Sequence, residues 1–191
     1  MLLSVPGVGG DVLDDERLYQ QVLQGSEAAL IELVGRYHAP LYKFLCRFTG
    51  DAALADDLTQ ETFTHFLTYQ GKPPIRFKPW AYTIASNLAR DHFKSARYRY
   101  ERVTDFDEEA ESVLDETNFT PSDQDDVVKG LAALSPDHRE VLILRFYHDL
   151  KLEEIAEVTR APLGTVKSRL FHALKQLKRG LALIEVVHDR P

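Results

Sequence analysis

The sequence predicts an all-α fold: two small helical domains joined by an acidic flexible linker, the second domain holding a helix-turn-helix. Three observations carry that prediction. Apolar residues recur at steps of three and four in two separate stretches, the spacing of one helix face. A short acid-rich segment without helical periodicity lies between them. Close to the C-terminus, two short amphipathic patterns flank a tight turn.

The predicted first domain spans residues 13–100. Leu18 and Val22 open a short helix that Asp14 or Asp15 can cap. Ser26 caps a longer helix with Leu30, Leu33, Val34, Tyr37, Leu41, Phe44, Leu45 and Phe48 on one face. Pro40 falls inside that pattern and should bend or break it. Gly50 stops the helix and Asp51 caps the next. In that third helix Leu54, Leu58, Phe63, Phe66 and Leu67 are expected to point inward. Asp57, Gln60, Glu61 and Thr64 form the opposite stripe, which by itself reads as a solvated face. Gly71 and the Pro73-Pro74 pair end the helix in a stiff loop. Trp80 opens a fourth helix, with Trp80, Ile84 and Leu88 expected in the core. Its other face carries Thr83, Asn87, Arg90, Lys94 and Arg97.

Residues 101–120 are the predicted linker. The 191-residue chain has a formal net charge of -7. Residues 101–127 hold 11 acids and one base, more than the whole excess. Such a run of like charge repels itself and reads as a solvated tether. A calcium loop fails, because no Gly sits at the turn position among Asp105, Asp107, Glu109 and Glu111. Residues 1–12 are read as a disordered N-terminus and 186–191 as a tail.

The predicted second domain spans residues 121–185. Val127, Val128, Leu131 and Leu134 resume the helical spacing, and Ser135-Pro136 starts a further helix through Val141, Leu142, Leu144, Arg145 and Phe146. Ile155, Ala156 and Val158 then face inward, a turn follows at 160–162, and Val166, Leu170, Leu174 and Leu177 face inward again. Thr165, Lys167, Ser168, Arg169, His172 and Lys175 point outward. Residues 162–180 hold five bases and no acid, the charge a recognition helix carries into the major groove. Residues 72–100 hold seven bases and one acid, interleaved with aromatics. Cations with nearby rings suit unpaired nucleic acid, although a solvated basic helix with core aromatics has the same composition. The acidic total thus excludes nucleic acid from the linker alone.

Other classes fare worse. Cys46 is the single cysteine, which removes intrachain disulfides and cysteine-rich zinc sites. HExxH and GxxxxGK patterns are absent, so no enzyme, cofactor or metal centre is expected. No apolar run reaches the ~20 residues of a membrane helix, and MLLSVPGVGG lacks a signal-peptide pattern. A cytoplasmic protein without membrane insertion is expected.

Three stretches are similar to those of one known family. YHAPLYKFLCRFTGDAALADDLTQETF, FKPWAYTIASNLARDHFKSAR and LSPDHREVLILRFYHDLKLEEIAEVTRAPLGTVKSRLFHALKQLK stand in the family's order. Together they resemble a bacterial extracytoplasmic-function sigma factor across roughly residues 14–180. The resemblance implies partners in core RNA polymerase and promoter DNA, with an anti-sigma factor as control. It implies a polymerase-docking face at Asp56, Asp57, Gln60, Glu61 and Phe63. It implies single-strand contact at the nearer (-10) promoter element by the loop at Arg76 and Phe77 and by Asn87, with Arg90, Lys94 and Arg97 on phosphates. For the farther (-35), duplex element it implies base reading by Lys167, Ser168, Phe171 and His172, with Thr165 and Arg169 on phosphates and Lys175 alongside.

Three features depart from the family pattern. Arg160 stands where a turn glycine is common, and a left-handed turn there costs a non-glycine residue ~1 kcal/mol or more. His172 replaces a frequent arginine and lacks its bidentate pairing with guanine. The linker is unusually acidic, which fits either a plain tether or a nucleic-acid mimic. Two rival readings are a helix-turn-helix regulator without a polymerase face and a sigma mimic that binds only an anti-sigma protein. The mimic should have lost its basic DNA faces, and both remain.

Overall fold

The computed structural model describes residues 14–103 and 126–188, with side chains over 14–95 and 129–179. Most of the expected acidic linker, the N-terminus and the last three residues lie outside the described residues. Every regular element described is a helix: α1 (Asp15–Leu23), α2 (Glu27–Thr49), α3 (Ala52–Thr68), α4 (Phe77–Val103), α5 (Asp126–Ala132), α6 (Pro136–Phe146), α7 (Leu152–Thr159) and α8 (Leu163–His188). None of them is long and apolar enough to cross a membrane.

Short-range chemistry sets the ends of these helices. Of the two cap candidates Asp14 is the cap, its carboxylate accepting from Arg17 N–H at 2.8 Å. Ser26 Oγ accepts from Ala29 N–H and Asp51 Oδ1 from Ala53 and Leu54 N–H. Gly50 closes α2 in the left-handed region at φ 77°, where an added Cβ would be strained. Ser135 occupies the cap position of α6 with Pro136 after it, but its side chain makes no capping bond.

The N-terminal helices pack around an aromatic centre of Tyr19, Tyr37, Phe44, Phe48, Phe66, Phe77 and Tyr82, all buried. Tyr19 Oη donates to the Phe66 carbonyl at 2.8 Å, so burying this hydroxyl leaves it satisfied. Burial pushes the Tyr19 phenol up to about 12. α2 runs through Pro40 unbroken. Leu33 and Tyr37 before the proline and Leu41 and Phe44 after it are all buried, which outweighs the ~3 kcal/mol a helix-interior proline costs.

Several inward assignments are corrected by one helical step. In α3 the buried face is Ala55, Leu58, Thr59, Thr62 and Phe66, and Leu67 is half exposed in the last turn. Small Ala55 and Thr59 allow close approach to α2, so the packed face centres on them; the threonine hydroxyls bond back to the Ala55 and Leu58 carbonyls. In α4 the buried stripe is Phe77, Ala81, Tyr82, Ala85, Ser86 and Ala89, while Trp80, Ile84 and Leu88 sit at its half-buried edge. This helix has neighbours on more than one side, α2, α3 and α7, which favours small residues inside. In α8 Ala173 takes the inner place and Leu174 is exposed.

The C-terminal helices build their core from Leu131, Leu134, Val141, Ile143, Leu144, Ile155, Val158, Val166 and Ala173. The α7–α8 turn is held by Arg160 at φ 51°, ψ 35°, so the left-handed geometry is kept despite the missing glycine. The two groups of helices then pack against each other, α4 on α7 and α2 on α6.

Candidate functional site

Three surfaces hold the residues singled out in the sequence. On α3 the packing face points at α2, which leaves Asp56, Asp57, Gln60 and Glu61 exposed on the far side. Gln60 Nε2 donates to Asp56 Oδ2 at 2.9 Å, tying one turn of the stripe together. Phe63 is half-buried beside it, stacked on His38 and edge-on to Phe66. These residues form one continuous acidic and amide face with an aromatic border.

The second surface is the start of α4 and the loop before it. Pro74, Ile75, Arg76, Pro79, Trp80, Thr83 and Glu157 line a cleft of about 460 Å³. Ile75 is 94 % exposed at its rim. Phe77 does not face this cleft. It is wholly buried against Tyr37, Phe66 and Trp80, and its N–H donates to Glu16 Oε1 at 2.8 Å. The aromatic demand of the core, at the first residue of α4, overrides its place beside the loop. Asn87 is half-exposed on α4 and Lys94 is exposed, near Asp91 at 3.3 Å. The Arg97 side chain lies outside the described residues.

Two arginines of this surface are engaged by the C-terminal helices. Arg76 pairs with Glu154 at 3.4 Å and with Glu157, both on α7. Arg90 Nη2 donates to both carboxylate oxygens of Glu140 on α6, at 2.6 Å to Oε1. Ser86 donates to the same carboxylate, which is fully buried. Burial pushes the Glu140 carboxyl up, and Arg90 and Ser86 pull it back. Next to it, Arg139 spends its donors on the carbonyls of Leu131, Ala132 and Leu134 in its own domain and of Phe48 on α2. Lys78 Nζ donates to the His148 carbonyl, and Tyr82 Oη and His148 Nδ1 are hydrogen-bonded at 2.7 Å. The Arg47 guanidinium lies 4.3 Å above the Tyr147 ring.

The third surface is the outer face of α8. Val166 and Ala173 are buried against α5–α7, which turns Lys167, Ser168, Phe171, His172 and Lys175 to solvent, with Thr165 half-exposed at the helix start. Phe171 is 64 % exposed. Arg169 pairs with Asp137 of α6. The ring of His172 is stacked on that of His138 with centroids 6.3 Å apart.

Of the residues expected at these surfaces, the acidic stripe, Asn87, Lys94, Lys167, Ser168, Phe171, His172 and Lys175 are at least half-exposed, whereas Phe77 is buried and Arg76, Arg90 and Arg169 are paired with carboxylates. The sequence reading missed Ser86, Arg139, Glu140 and His148, the polar groups buried where the two halves meet. A signal existed for one pair: Arg139 and Glu140 precede the apolar run VLIL at helix positions that must be buried. Their partners, some 50 and 90 residues away, have no local signature.

Comparison with known proteins follows the same division. Residues 33–99 match the sigma-70 region 2 family and residues 130–179 the sigma-70 region 4 family. The chain is 31 % identical to the ECF RNA polymerase sigma factor BldN of Streptomyces coelicolor, over 91 % of this chain and 68 % of that one. It is 34 % identical to the ECF RNA polymerase sigma factor SigL of Mycobacterium tuberculosis, over 80 % of this chain and 89 % of the relative. Among solved structures the fold is similar to CnrH in complex with the cytosolic domain of CnrY. The TM-score is 0.64 at 24 % identity, covering 90 % of this chain and 97 % of that one.

Proposed function

The chain belongs to the extracytoplasmic-function sigma factors of RNA polymerase, and on that premise we propose how its three surfaces divide the work of promoter selection. The exposed Asp56, Asp57, Gln60 and Glu61 stripe, with Phe63 at its border, docks on core polymerase. The α8 face reads the duplex element, Lys167, Ser168, Phe171 and His172 at base edges and Thr165 and Lys175 toward the backbone. The cleft under Ile75 and Trp80, with Asn87 along the same helix, receives an extruded base of the non-template strand. Unstacking that base costs a few kcal/mol, which trapping in the cleft offsets. The protein supplies binding and strand separation and leaves phosphodiester chemistry to the polymerase.

The packed arrangement bears on this sequence of events. Arg76 and Arg90 reach phosphates only after Glu154, Glu157 and Glu140 release them. Opening therefore requires the two halves to part, and core polymerase, by holding each on a separate site, supplies the driving interaction. A partner that wraps the closed form, as an anti-sigma factor would, keeps both DNA faces out of use.

The observation that carries the reading is the exposure of the basic α8 face while its apolar face is sealed against α5–α7. The test is run-off transcription with purified core polymerase on a library of promoter fragments. Specific transcripts above core alone are expected. No such transcript anywhere in the library overturns the reading.

A further inference from the structure

We propose that Asp137 and His138, which lie outside the recognition helix, help set its base selectivity by fixing Arg169 and His172. The inference rests on α8 being the duplex-reading element. Its outward residues are not all alike. Arg169, His172 and Gln176 follow one another at helical spacing along the edge nearest α6. Two consecutive residues in the first turn of α6 engage all three. Asp137 pairs with Arg169, whose side chain is 26 % exposed. The His138 ring lies nearly parallel to that of His172, with 26° between planes and centroids 6.3 Å apart, and its Nδ1 is hydrogen-bonded to Gln176 Oε1 at 3.1 Å.

The mounting is rigid. Arg139, the next residue, is buried and bonded to the carbonyls of Leu131, Ala132 and Leu134. Val141 through Leu144 are buried behind it. Asp137 and His138 therefore stand at fixed points against α8. Rigidity matters more for histidine than for arginine at a reading position. An arginine fork aligns itself on guanine through two bonds, whereas an imidazole offers one bond and a freely turning ring. Packing beside His138 restricts that rotation before DNA arrives, so the direction of the single bond is biased by α6. Asp137 acts on Arg169 in a different way. Its carboxylate aims the guanidinium and competes with any phosphate for it, which lowers the non-specific share of binding.

The test uses the full chain in holoenzyme and duplexes selected from a randomised library for tight binding. His138→Ala should lose about three- to tenfold in discrimination at one base pair, the range one aromatic pair supplies. The same pair should lose discrimination in His172→Ala, and the double variant should be no worse than His172→Ala alone. His138→Phe, which keeps a ring for stacking, should restore discrimination. Asp137→Asn should instead steepen the salt dependence of binding, by about 0.9 in slope for one added phosphate contact. Additive effects of the two histidine changes, or unchanged discrimination in His138→Ala, overturn the proposal. If wild-type holoenzyme selects no duplex over random sequence, the reading of α8 fails instead, and the two failures are distinguishable.

Discussion

His148 makes the packing of the two halves dependent on pH. The residue lies after α6, and its ring is buried between Phe44, 5.8 Å away edge-on, and Tyr82, 5.0 Å away. Nδ1 is bonded to Tyr82 Oη, and Nε2 is buried without a hydrogen-bond partner among the described residues. Burial, and then the cations of Arg47, Lys78 and Lys43, push its pKa from 6.5 down to about 4. A histidine depressed in this way takes up its proton in the unfolded chain first. Its contribution is therefore complete above pH 6.5 and is lost as pH falls through about 4. At 1.36 kcal/mol per pH unit the full effect is roughly 3 kcal/mol, of which about 2 kcal/mol disappears between pH 7 and pH 5. Urea denaturation at both pH values, on the wild type and on His148→Gln, measures it. Glutamine keeps a polar partner for Tyr82 and cannot be protonated, while the carboxylates titrate in both proteins. The wild type should lose about 2 kcal/mol more than the variant. Equal losses would refute the reasoning, because the buried imidazole would then carry none of the acid sensitivity.

Two further outcomes follow from the same geometry. Glu140→Gln leaves the Arg90 guanidinium, 22 % exposed, facing a neutral group at the contact between the halves. Breaking one side of a buried pair costs about 3 kcal/mol, so the closed-to-open ratio should fall on the order of 100-fold. Energy transfer between labels on α2 and α8 would report this, and an unchanged distance distribution would remove the pair from the set that holds the halves together. Arg160→Gly relieves a side chain held at φ 51° and should raise stability by about 1 kcal/mol, read as an increase in melting temperature. A decrease would mean that the arginine side chain contributes more than its backbone strain costs.

The parts of this fold that the sequence announced are those decided within a few residues. The caps at Asp14, Ser26 and Asp51 and the stop at Gly50 each depend on bonds spanning two to four positions. Much of α8 was announced in the same way, with Val166 inward and Lys167, Ser168, His172 and Lys175 outward, although Ala173 rather than Leu174 took the inner place. Burial on α4 was not announced. Trp80, Ile84 and Leu88 satisfy the pattern as well as Phe77, Ala81 and Ala85 do, and the choice fell to the faces offered by α2, α3 and α7. Phe77 illustrates the consequence: proximity in sequence to the loop expected to meet DNA did not keep it at the surface.

The sequence by itself determined the helical class, the two units and the uneven placement of charge, because helix periodicity, capping and charge density are local properties, and its motifs carried the resemblance to the family. The tertiary structure decided which charges are available. Arg76, Arg90 and Arg169 look equivalent to their basic neighbours in the sequence, yet each is held by a carboxylate on another helix. Coulomb attraction in a half-buried contact depends on distance and desolvation, and both are fixed only once helices distant in sequence have packed.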